Sequence, residues 1–464
     1  MMSKKKIFIA IAFGTSVRDV LRNDTYKILK AKDNIDIVIF IQDINNKIIA
    51  EFGGENVSFE KLVTFKPSLA ERVLGHFHRA VLRGKCKTID LGNTGGDTKT
   101  LDKFTPIAEF LIKLFGFSKV NVLIFWLYKL FTKSKMYEDE FNKHKPDLLI
   151  VTRVLNYSLD YPLMRRASKE KVPVISLVSS WDNLTSKAFF PFSLESLVVW
   201  NNVLKEEAVD LFSFPKENIF VSGIPRYDVF FREGKLSNKE VFFKNFNLDI
   251  NKKLITYCTG SATTGKTILD PLSPEPEIVK FIADEILASK FSEPTQLLIR
   301  LHPQAKQEEY KELLNRNDVI LHTPGNKASF QDRLFSSNDD LELAESMMYS
   351  DVVVNLCSTI TIDAAVFDTP IVCVNFDFRG KRPSNVSIKR LYLFDHYAKL
   401  GQTGGFELAN SKTELINQID YSINHPEYLS ENRKKIIEQQ CVFTDGRSGE
   451  RVASHIVKVL NSVS

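Results

Sequence analysis

Cysteine is scarce in this chain and is not arranged in close pairs. The 464 residues include five Cys, an odd number, and the nearest two, Cys357 and Cys373, are sixteen positions apart. Zinc sites built on CxxC motifs need close pairs, and the disulfide frameworks of small secreted proteins need an even, regularly spaced set. The spacing excludes both and favours a reducing compartment, which we interpret as the cytoplasm.

A strong charge of either sign and a D-x-D pair are also missing. The 62 Lys and Arg against 57 Asp and Glu give a net charge of +5, which is too weak to predict a nucleic-acid-binding protein. No two Asp residues have the D-x-D spacing that usually holds a divalent cation on a nucleotide diphosphate. We therefore expect no metal and no cofactor, and expect cationic side chains and helix N-termini to neutralise phosphate charge.

No apolar run reaches the ~20 residues that cross a bilayer. The nearest candidate, 107–131, is interrupted by Lys113, Lys119 and Lys129, and further Lys residues follow up to position 135. This pattern is typical of a helix that lies on an anionic membrane surface, and equally of a core helix whose Lys side chains reach outward. Both interpretations of residues 107–135 stay open.

Short runs of Val, Ile and Leu alternate with helical stretches along both halves of the chain. Such runs predict strands at 7–13, 35–41, 147–152, 172–178, 196–200 and 219–222, and, after a polar break at 228–251, at 253–258, 296–301, 319–322, 352–356 and 371–375. Runs without alternation indicate strands buried on both faces, hence parallel α/β sheets. We expect two Rossmann-like domains facing across a cleft, with ligands at the carboxyl ends of the strands.

The segment 260–267 follows a predicted strand and matches the P-loop pattern G-x-x-x-x-G-K-[ST], with its lysine at Lys266. A P-loop also needs a helix that begins at this lysine, and three Pro residues within 271–276 disfavour a continuous helix. We therefore predict a looser loop, including Gly260 and Ser261, whose backbone N–H groups bind a phosphate.

Two further strand ends carry polar residues that suit a diphosphate. Arg300 and His302 close one apolar strand, whereas Ser358 and Thr359 open the loop after another, with Asp363 in the helix that follows. Hydroxyls at a helix start and cationic side chains bind phosphate oxygens. A plain N-cap and an ordinary strand-end His are the alternatives, and the residues alone leave them open.

The loop after the strand at 172–178 contains Trp181 and Asp182 and continues to Lys187. A carboxyl group beside a Trp can have a raised pKa and act as a base, but an Asx-turn explains the same residue. The Gly223-Ile-Pro-Arg226 segment marks the junction of the halves, where Arg226 either faces a ligand or belongs to a linker.

These motifs together resemble those of the two-domain GT-B glycosyltransferases, and most of all the CDP-glycerol glycerophosphotransferase (teichoic acid polymerase) group. The G-x-P-R-N-D motif of that group is matched from Gly223 to Asp228 with Tyr227 in place of Asn. Its R-x-H-P motif is matched at 300–303, its S-S-x-x-x-D motif with Thr359 as the second residue, and its terminal D-G-x-x-x-E-R-V at 445–452.

The N-terminal catalytic motif of the group, W-H-G-x-P-x-K, is altered here. Trp181 and Lys187 keep their spacing, whereas Asp182 replaces the His, and Asn183 and Thr185 replace the Gly and Pro. A carboxylate base is common among sugar-transferring GT-B enzymes, so the resemblance with this change implies a sugar donor rather than CDP-glycerol.

The resemblance implies a metal-independent glycosyltransferase that moves a sugar from a nucleotide-activated donor to a cell-envelope or surface polysaccharide or to a lipid-linked acceptor. Asp182 would be the catalytic base, and Trp181 and Lys187 would lie on the acceptor side. The donor-binding residues would be Gly260, Ser261, Arg226, Arg300, His302, Ser358, Thr359 and Asp363.

The expected domains are an acceptor domain at 1–222, a nucleotide-donor domain at 223–445, and a C-terminal helix at 446–464 that packs back on the first domain. We expect a cytoplasmic protein, with the inner face of the membrane as a hypothesis. Three alternatives stay open: a CDP-glycerol-type polyol-phosphate transferase, a nucleotide-sugar 2-epimerase, and a catalytically silent binding subunit of the same fold.

Overall fold

The computed structural model describes residues 4–92, 98–131, 135–152, 158–186, 192–260, 273–303, 305–325, 337–384 and 386–462. The chain forms two compact units, one of Met1–Asp228 with Val442–Ser464 and the other of Val229–Cys441. Each unit is built on its own parallel sheet.

The first unit contains seven strands. They are β1 Lys5–Ile11, β2 Ile35–Ile41, β3 Val57–Lys61, β4 Leu148–Val151, β5 Val174–Leu177, β6 Ser196–Val199 and β7 Ile219–Val221. Their order in the sheet is β3-β2-β1-β4-β5-β6-β7, and all neighbours are parallel. Strands β4 and β5 are buried along their whole length, as apolar runs covered on both faces require. Strand β3 was not predicted, because it is a partly exposed edge strand without an apolar run.

Helices cover this sheet between the strands. They are α1 Gly14–Ser16, α2 Asp24–Lys30, α3 Asn46–Phe52, α4 Leu69–Arg83, α5 Lys87–Gly92, α6 Thr98–Phe115, α7 Phe117–Phe131, α8 Glu138–His144, α9 Tyr161–Glu170, α10 Asn183–Ser186 and α11 Asn202–Phe212, with a π-helical turn at Val17–Leu21 after α1. The predicted apolar segment thus forms two helices, separated at Gly116, whose φ of 85° favours glycine.

The second unit contains six strands. They are β8 Lys253–Cys258, β9 Thr295–Arg300, β10 Val319–His322, β11 Val352–Asn355, β12 Ile371–Val374 and β13 Glu407–Ala409, in the parallel order β10-β9-β8-β11-β12-β13. Its helices are α12 Lys239–Asn245, α13 Glu275–Leu287, α14 Ser337–Tyr349, α15 Ile360–Val366, α16 Asp395–Gly401, α17 Lys412–Asn424 and α18 Ser430–Gln440. Strand β13 was not predicted, because its three residues contain no recognisable apolar run.

The last helix, α19 Ser448–Ser462, belongs to the first unit and packs against α2. The carboxylate of Asp228 accepts hydrogen bonds from the backbone N–H groups of Ser448 and Gly449, each at 2.8 Å. A Cβ atom on Gly449 would lie 3.2 Å from the backbone of α2, so glycine permits this close approach. The predicted return of the C-terminal helix to the N-terminal half is confirmed.

Two parallel sheets with covering helices confirm the predicted α/β class with two Rossmann-like halves. The functional division into acceptor residues 1–222, donor residues 223–445 and a terminal helix 446–464 stays a prediction.

Candidate active site

The carboxyl ends of four neighbouring strands lie side by side in the second sheet. Arg300 of β9 pairs in register with Cys258 of β8, Cys258 with Asn355 of β11, and Asn355 with Cys373 of β12. The loops that leave these ends therefore begin at one edge of the sheet. Four predicted donor-binding residues begin those loops: Gly260, His302, Ser358 and Thr359.

Ser358 and Thr359 form the turn between β11 and α15. The backbone N–H of Ser358 donates to Asn355 Oδ1 at 3.2 Å, and Ser358 Oγ accepts from the N–H of Ile360 at 3.4 Å. Thr359 occupies the N-cap position of α15, but its side chain makes no capping hydrogen bond. Both residues are partly exposed, so their hydroxyl groups are placed where an anion can approach.

His302 is tied to the neighbouring loop. Its backbone N–H donates to Thr259 Oγ1 at 2.7 Å, and the N–H of Thr259 donates to the carbonyl of Arg300 at 3.0 Å. These bonds fix the ends of β8 and β9 relative to each other, while the His302 residue stays partly exposed.

Arg300, in contrast to His302, is buried. It is 6% exposed, and its guanidinium donates to the carbonyl of Asp339 at 3.0 Å and to His322 Nδ1 at 3.2 Å. Burial lowers the pKa of Arg300. The side chain thus connects β9 with α14 and β10, which suits positioning of the strand end better than direct contact with a ligand.

The N–H of Gly260 is already bonded to a carboxyl group of the protein itself. Both carboxylate oxygens of Glu275 accept from it, at 2.8 and 3.0 Å, and the hydroxyl of Tyr257 donates to the same carboxylate at 3.3 Å. Burial raises the pKa of Glu275 to about 8. Glu275 was not among the predicted site residues, although the sequence places an acid shortly after the Gly-rich loop. Ser261 and Lys266 lie outside the described residues.

Asp363 lies inside α15 and is 1% exposed. Burial raises the pKa of the Cys258 thiol to about 12; the charge of Arg300 opposes this shift, and that of Asp363 adds to it. Asp363 is therefore near enough to the Cys258 thiol, at the end of β8, to interact with it electrostatically.

A basic loop follows β12 at the carboxyl edge of the second sheet. It was not among the predicted site segments. The motif from Arg379 to Ser384 reads R-G-K-R-P-S directly after an apolar strand. Arg390 is 6% exposed and donates to the carbonyl of Ser387 at 3.2 Å. Burial lowers the pKa of Arg390, nearby Asp377 opposes that shift, and Arg382 adds to it. The guanidinium groups of Arg382 and Arg390 are therefore near enough to interact electrostatically.

The first unit has a different set of residues after its strands. Trp181 is buried, and Asp182 is half-buried at the start of α10. The Asp182 carboxylate accepts hydrogen bonds from the hydroxyl groups of Ser180 and Ser186, and its backbone carbonyl accepts from the N–H of Ser186 at 2.9 Å. These bonds orient the carboxylate within the turn. Lys187 lies outside the described residues.

A small cavity lies at the carboxyl edge of the first sheet. Its volume is about 30 Å³, which is room for one or two water molecules. Its polar lining consists of Asp19, Thr25, Thr152, Ser179, Ser222 and Arg226, with Trp200 among the apolar residues. Asp182 is absent from this lining, whereas Asp19, which follows β1 and pairs with Arg18 at 3.0 Å, belongs to it.

Arg226 is held between aromatic rings. Its guanidinium carbon lies 5.6 Å from the centre of the Trp200 ring and 4.6 Å from that of Tyr227. Cations stack on such ring faces, so the replacement of the family Asn by Tyr227 provides one wall of the Arg226 site.

Within the described ranges, no group of three or more His, Cys, Asp or Glu side chains is placed to hold a metal ion.

Comparison with known families identifies the chain. The family model of CDP-Glycerol:Poly(glycerophosphate) glycerophosphotransferase matches residues 178–458, more than half of the sequence. The chain belongs to this family. It is therefore a transferase, and its fold is GT-B. None of the curated proteins compared with the chain matches it.

Solved structures show the same fold at low sequence identity. The UDP-GlcNAc 2-epimerase of Neisseria meningitidis bound to UDP-GlcNAc has 14% identity and a TM-score of 0.55, covering 98% of this chain and 100% of its own. The UDP-GlcNAc 2-epimerase of Methanocaldococcus jannaschii has 14% identity and a TM-score of 0.51, covering 98% and 99%. A glycosyltransferase of Rickettsia africae has 11% identity and a TM-score of 0.50, with the same coverage.

Family membership bears on which of the predicted reactions is better supported. The matched region contains the loops at Asp182, His302 and Ser358. It supports the polyol-phosphate alternative better than the sugar transfer that the replacement of His by Asp182 implied.

Proposed function

We propose that the protein transfers a polyol phosphate, glycerol phosphate in the first instance, from a CDP-activated donor to a hydroxyl group of a cell-envelope polymer. The family match across 178–458 carries this proposal. Sugar transfer is the second candidate, and it is supported by the carboxylate of Asp182 at the position of the family His.

The reaction has a simple balance of bonds and charges. An acceptor hydroxyl oxygen attacks the phosphorus that bears the glycerol, a new P–O bond forms, and the P–O bond to CMP breaks. The hydroxyl proton passes to a base, and the former bridging oxygen leaves with CMP and keeps the electron pair of the broken bond as a negative charge. Preorganised donors and cations at that charge lower the barrier.

The edge of the second sheet supplies groups for the donor phosphates. We assign Ser358, Thr359 and His302 to direct contact, together with Arg382 from the basic loop. The N–H of Gly260 is bonded to Glu275, so further contacts from this loop belong to Ser261 and its neighbours.

We propose other roles for three of the predicted donor-binding residues. Arg300 and Asp363 are buried, and we assign them to positioning of the strand ends. Arg226 lines the cavity of the first unit, so we assign it to the stabilisation of phosphate charge near the acceptor hydroxyl.

The proton acceptor is assigned to Asp182, with Asp19 as the second candidate. Asp182 occupies the family catalytic position, and two serine hydroxyls orient its carboxylate. The cavity lined by Asp19 accommodates one hydroxyl-sized group. Asp19 would be the proton acceptor if the terminal hydroxyl of the acceptor enters this cavity.

A panel of donors tests the proposal. Purified protein is incubated with CDP-glycerol, CDP-ribitol, UDP-GlcNAc and UDP-glucose, with and without a glycerol-phosphate oligomer as acceptor. We expect acceptor-dependent release of CMP and lengthening of the oligomer with a CDP-polyol. Release of UDP together with transfer of the sugar would support the second candidate. Formation of an epimerised UDP-sugar without transfer would contradict both candidates.

A further inference from the structure

A cluster of four polar side chains is buried in the second unit and is bonded to the turn that carries Ser358. Its members are Asn355 at the end of β11, Thr361 in α15, Cys373 in β12 and Tyr397 in α16. None of the four is more than 1% exposed. Buried polar groups cost free energy unless each finds a partner, so the bonds within such a cluster restrict its geometry closely.

The hydroxyl of Thr361 is the centre of this cluster. Thr361 Oγ1 lies 2.8 Å from the hydroxyl oxygen of Tyr397 and accepts a hydrogen bond from Asn355 Nδ2 at 3.3 Å. The Tyr397 hydroxyl oxygen lies 3.3 Å from Cys373 Sγ. Side-chain contacts therefore join two strands and two helices at one point.

Asn355 connects the cluster to the turn. Its Oδ1 accepts a hydrogen bond from the backbone N–H of Ser358 at 3.2 Å, while its Nδ2 donates to Thr361. The two ends of a side-chain amide have opposite hydrogen-bonding roles, so a rotated amide could not make both bonds. The cluster thus fixes the Asn355 amide, and the amide fixes the backbone of Ser358.

Cys357 ties the same turn to a second segment. Its φ of 51° lies in the left-handed region, which is uncommon for a residue with a side chain. Its thiol donates to the carbonyl of Leu391 at 3.3 Å, in the turn Ile388–Leu393 that also contains Arg390. Strained backbone of this kind persists where the surrounding structure determines it, and it is concentrated at functional sites.

We propose that Asn355, Thr361 and Tyr397 are positioning residues of the donor site. They hold the turn so that the hydroxyl groups of Ser358 and Thr359 face the donor phosphates, and their burial keeps them from touching the donor themselves. Groups that are ordered before the ligand arrives bind it without the entropic cost of ordering them. The inference rests on the proposed contact of Ser358 with a donor phosphate, whichever group the donor transfers.

Two variants of Thr361 test this role. Thr361→Val keeps the shape of the side chain and removes the central hydroxyl, whereas Thr361→Ser keeps the hydroxyl. CDP-glycerol and UDP-GlcNAc are each titrated calorimetrically into the wild type, and the variants are titrated with the nucleotide that binds. We expect Thr361→Val to weaken this binding by about tenfold, because Asn355 and Tyr397 lose a buried partner, and Thr361→Ser by less than about threefold.

A double-mutant cycle separates positioning from a general loss of order. The variant Ser358→Ala with Thr359→Val lacks the hydroxyl groups that the cluster is proposed to position. Adding Thr361→Val to it should therefore change nucleotide affinity by less than about twofold, since residues that act through one contact are not additive. A further tenfold loss in this background would overturn the proposal.

Thr256→Val is the matched control for the loss of a buried hydroxyl. Thr256 Oγ1 lies 2.6 Å from Ser350 Oγ, and both residues are buried in the second unit. This variant should lower the melting temperature, as Thr361→Val should, and leave nucleotide affinity within about twofold of the wild type. An equal loss of affinity in both variants would overturn the proposal, because reduced stability would then explain it.

The outcomes also separate this inference from the proposed function. Wild-type affinity in folded Thr361→Val would overturn the positioning role and leave the proposed reaction standing. Binding of UDP-GlcNAc alone to the wild type would contradict the CDP-polyol reaction, and the same variants would still decide the positioning role with that nucleotide. Binding of neither nucleotide would overturn both.

Tyr397→Phe keeps the inference testable if Thr361→Val does not fold. It removes the hydroxyl that contacts Thr361 and retains the buried ring. We expect nucleotide affinity to fall by about threefold, less than with Thr361→Val, because the bond between Thr361 and Asn355 is kept. Unchanged affinity in this variant would likewise overturn the proposal.

Discussion

The carboxyl edges of the two parallel sheets carry different chemistry, although both sheets follow the same folding rules. After β8, β9, β11 and β12 the loops present hydroxyl groups, a His and several Arg residues. After β1, β4, β5, β6 and β7 they present carboxylates, an indole ring and a cavity of about 30 Å³. The groups at the edge of the second sheet suit phosphate charge. Those at the edge of the first sheet suit a neutral hydroxyl that must lose a proton.

Because of this difference, we expect substitutions at the two edges to affect different kinetic quantities. A defect at the first sheet should slow turnover and leave donor affinity intact, because a base acts mainly in the transition state. A defect at the second sheet should weaken donor binding. Weaker donor binding caused by substitutions at the first sheet, or slower turnover with normal donor binding caused by substitutions at the second, would contradict this assignment.

Removal of the proton acceptor should give the largest effect. Asp182→Asn keeps the size of the side chain and its turn hydrogen bonds, but it cannot take a proton as a carboxylate does. We expect turnover to fall by roughly 10²-fold or more with near-normal donor affinity, measured by CMP release and by nucleotide titration. Asp19→Asn is the matched comparison and should lose less than about tenfold by the same measure. Near wild-type turnover of the Asp182 variant with a strong loss in the Asp19 variant would move the base to Asp19.

Loss of the hydroxyl groups after β11 should weaken donor binding. Ser358→Ala with Thr359→Val should cost about 1–3 kcal/mol of binding free energy, the range for hydrogen bonds to a charged ligand. Calorimetric titration with a CDP-polyol measures it. Thr413→Val, an exposed residue on α17, is the control. Unchanged affinity in the folded double variant would remove these hydroxyls from the donor site.

The cap on the last helix should affect stability and not donor affinity. Asp228→Ala leaves the N–H groups of Ser448 and Gly449 without their carboxylate, and the loss of such a cap costs about 0.5–2 kcal/mol. Urea unfolding should show this change. Asp445→Ala, which removes an exposed ion pair with Arg451, should cost less, and equal losses would argue against a special role for Asp228.

The buried acid beside the Gly-rich loop should make stability depend on pH. The pKa of Glu275 is about 8 in the folded protein against an ordinary 4.5, so between these values the unfolded chain releases a proton that the folded protein keeps. The free energy of unfolding should therefore fall as the pH rises through this window, by at most about 1.4 kcal/mol per pH unit. Glu275→Gln should flatten this slope in urea unfolding from pH 5 to 8, whereas Glu277→Gln, at an exposed neighbour in α13, should not.

Chelation should give the smallest effect. Cationic side chains at the second edge are expected to neutralise the phosphates, so activity in excess EDTA should equal activity in buffer alone. A strict requirement for Mg²⁺ or Mn²⁺ would contradict this expectation and return attention to Lys266. Lys266→Ala would then be the variant to assay for nucleotide turnover.

Much of the fold follows from local patterns along the chain. Apolar runs such as 35–41 and 253–258 correspond to β2 and β8 residue for residue, because a strand covered on both faces is mostly apolar. Edge strands β3 and β13 lack that constraint and escaped prediction. The family motifs likewise depend on linear spacing, so the sequence by itself indicated the transferase family that the comparison confirmed.

Contacts between distant segments required the tertiary structure. Only the folded chain brings Asp228 to the start of α19, Glu275 to the N–H of Gly260, and Asp19 to a cavity edge. The segment 107–131 shows the limit most clearly: its sequence fits a core helix and a membrane-surface helix equally well. Periodicity states that a helix has an apolar face, but only packing decides whether protein covers that face, and here the face with Trp126 stays exposed while the face with Tyr128 is buried.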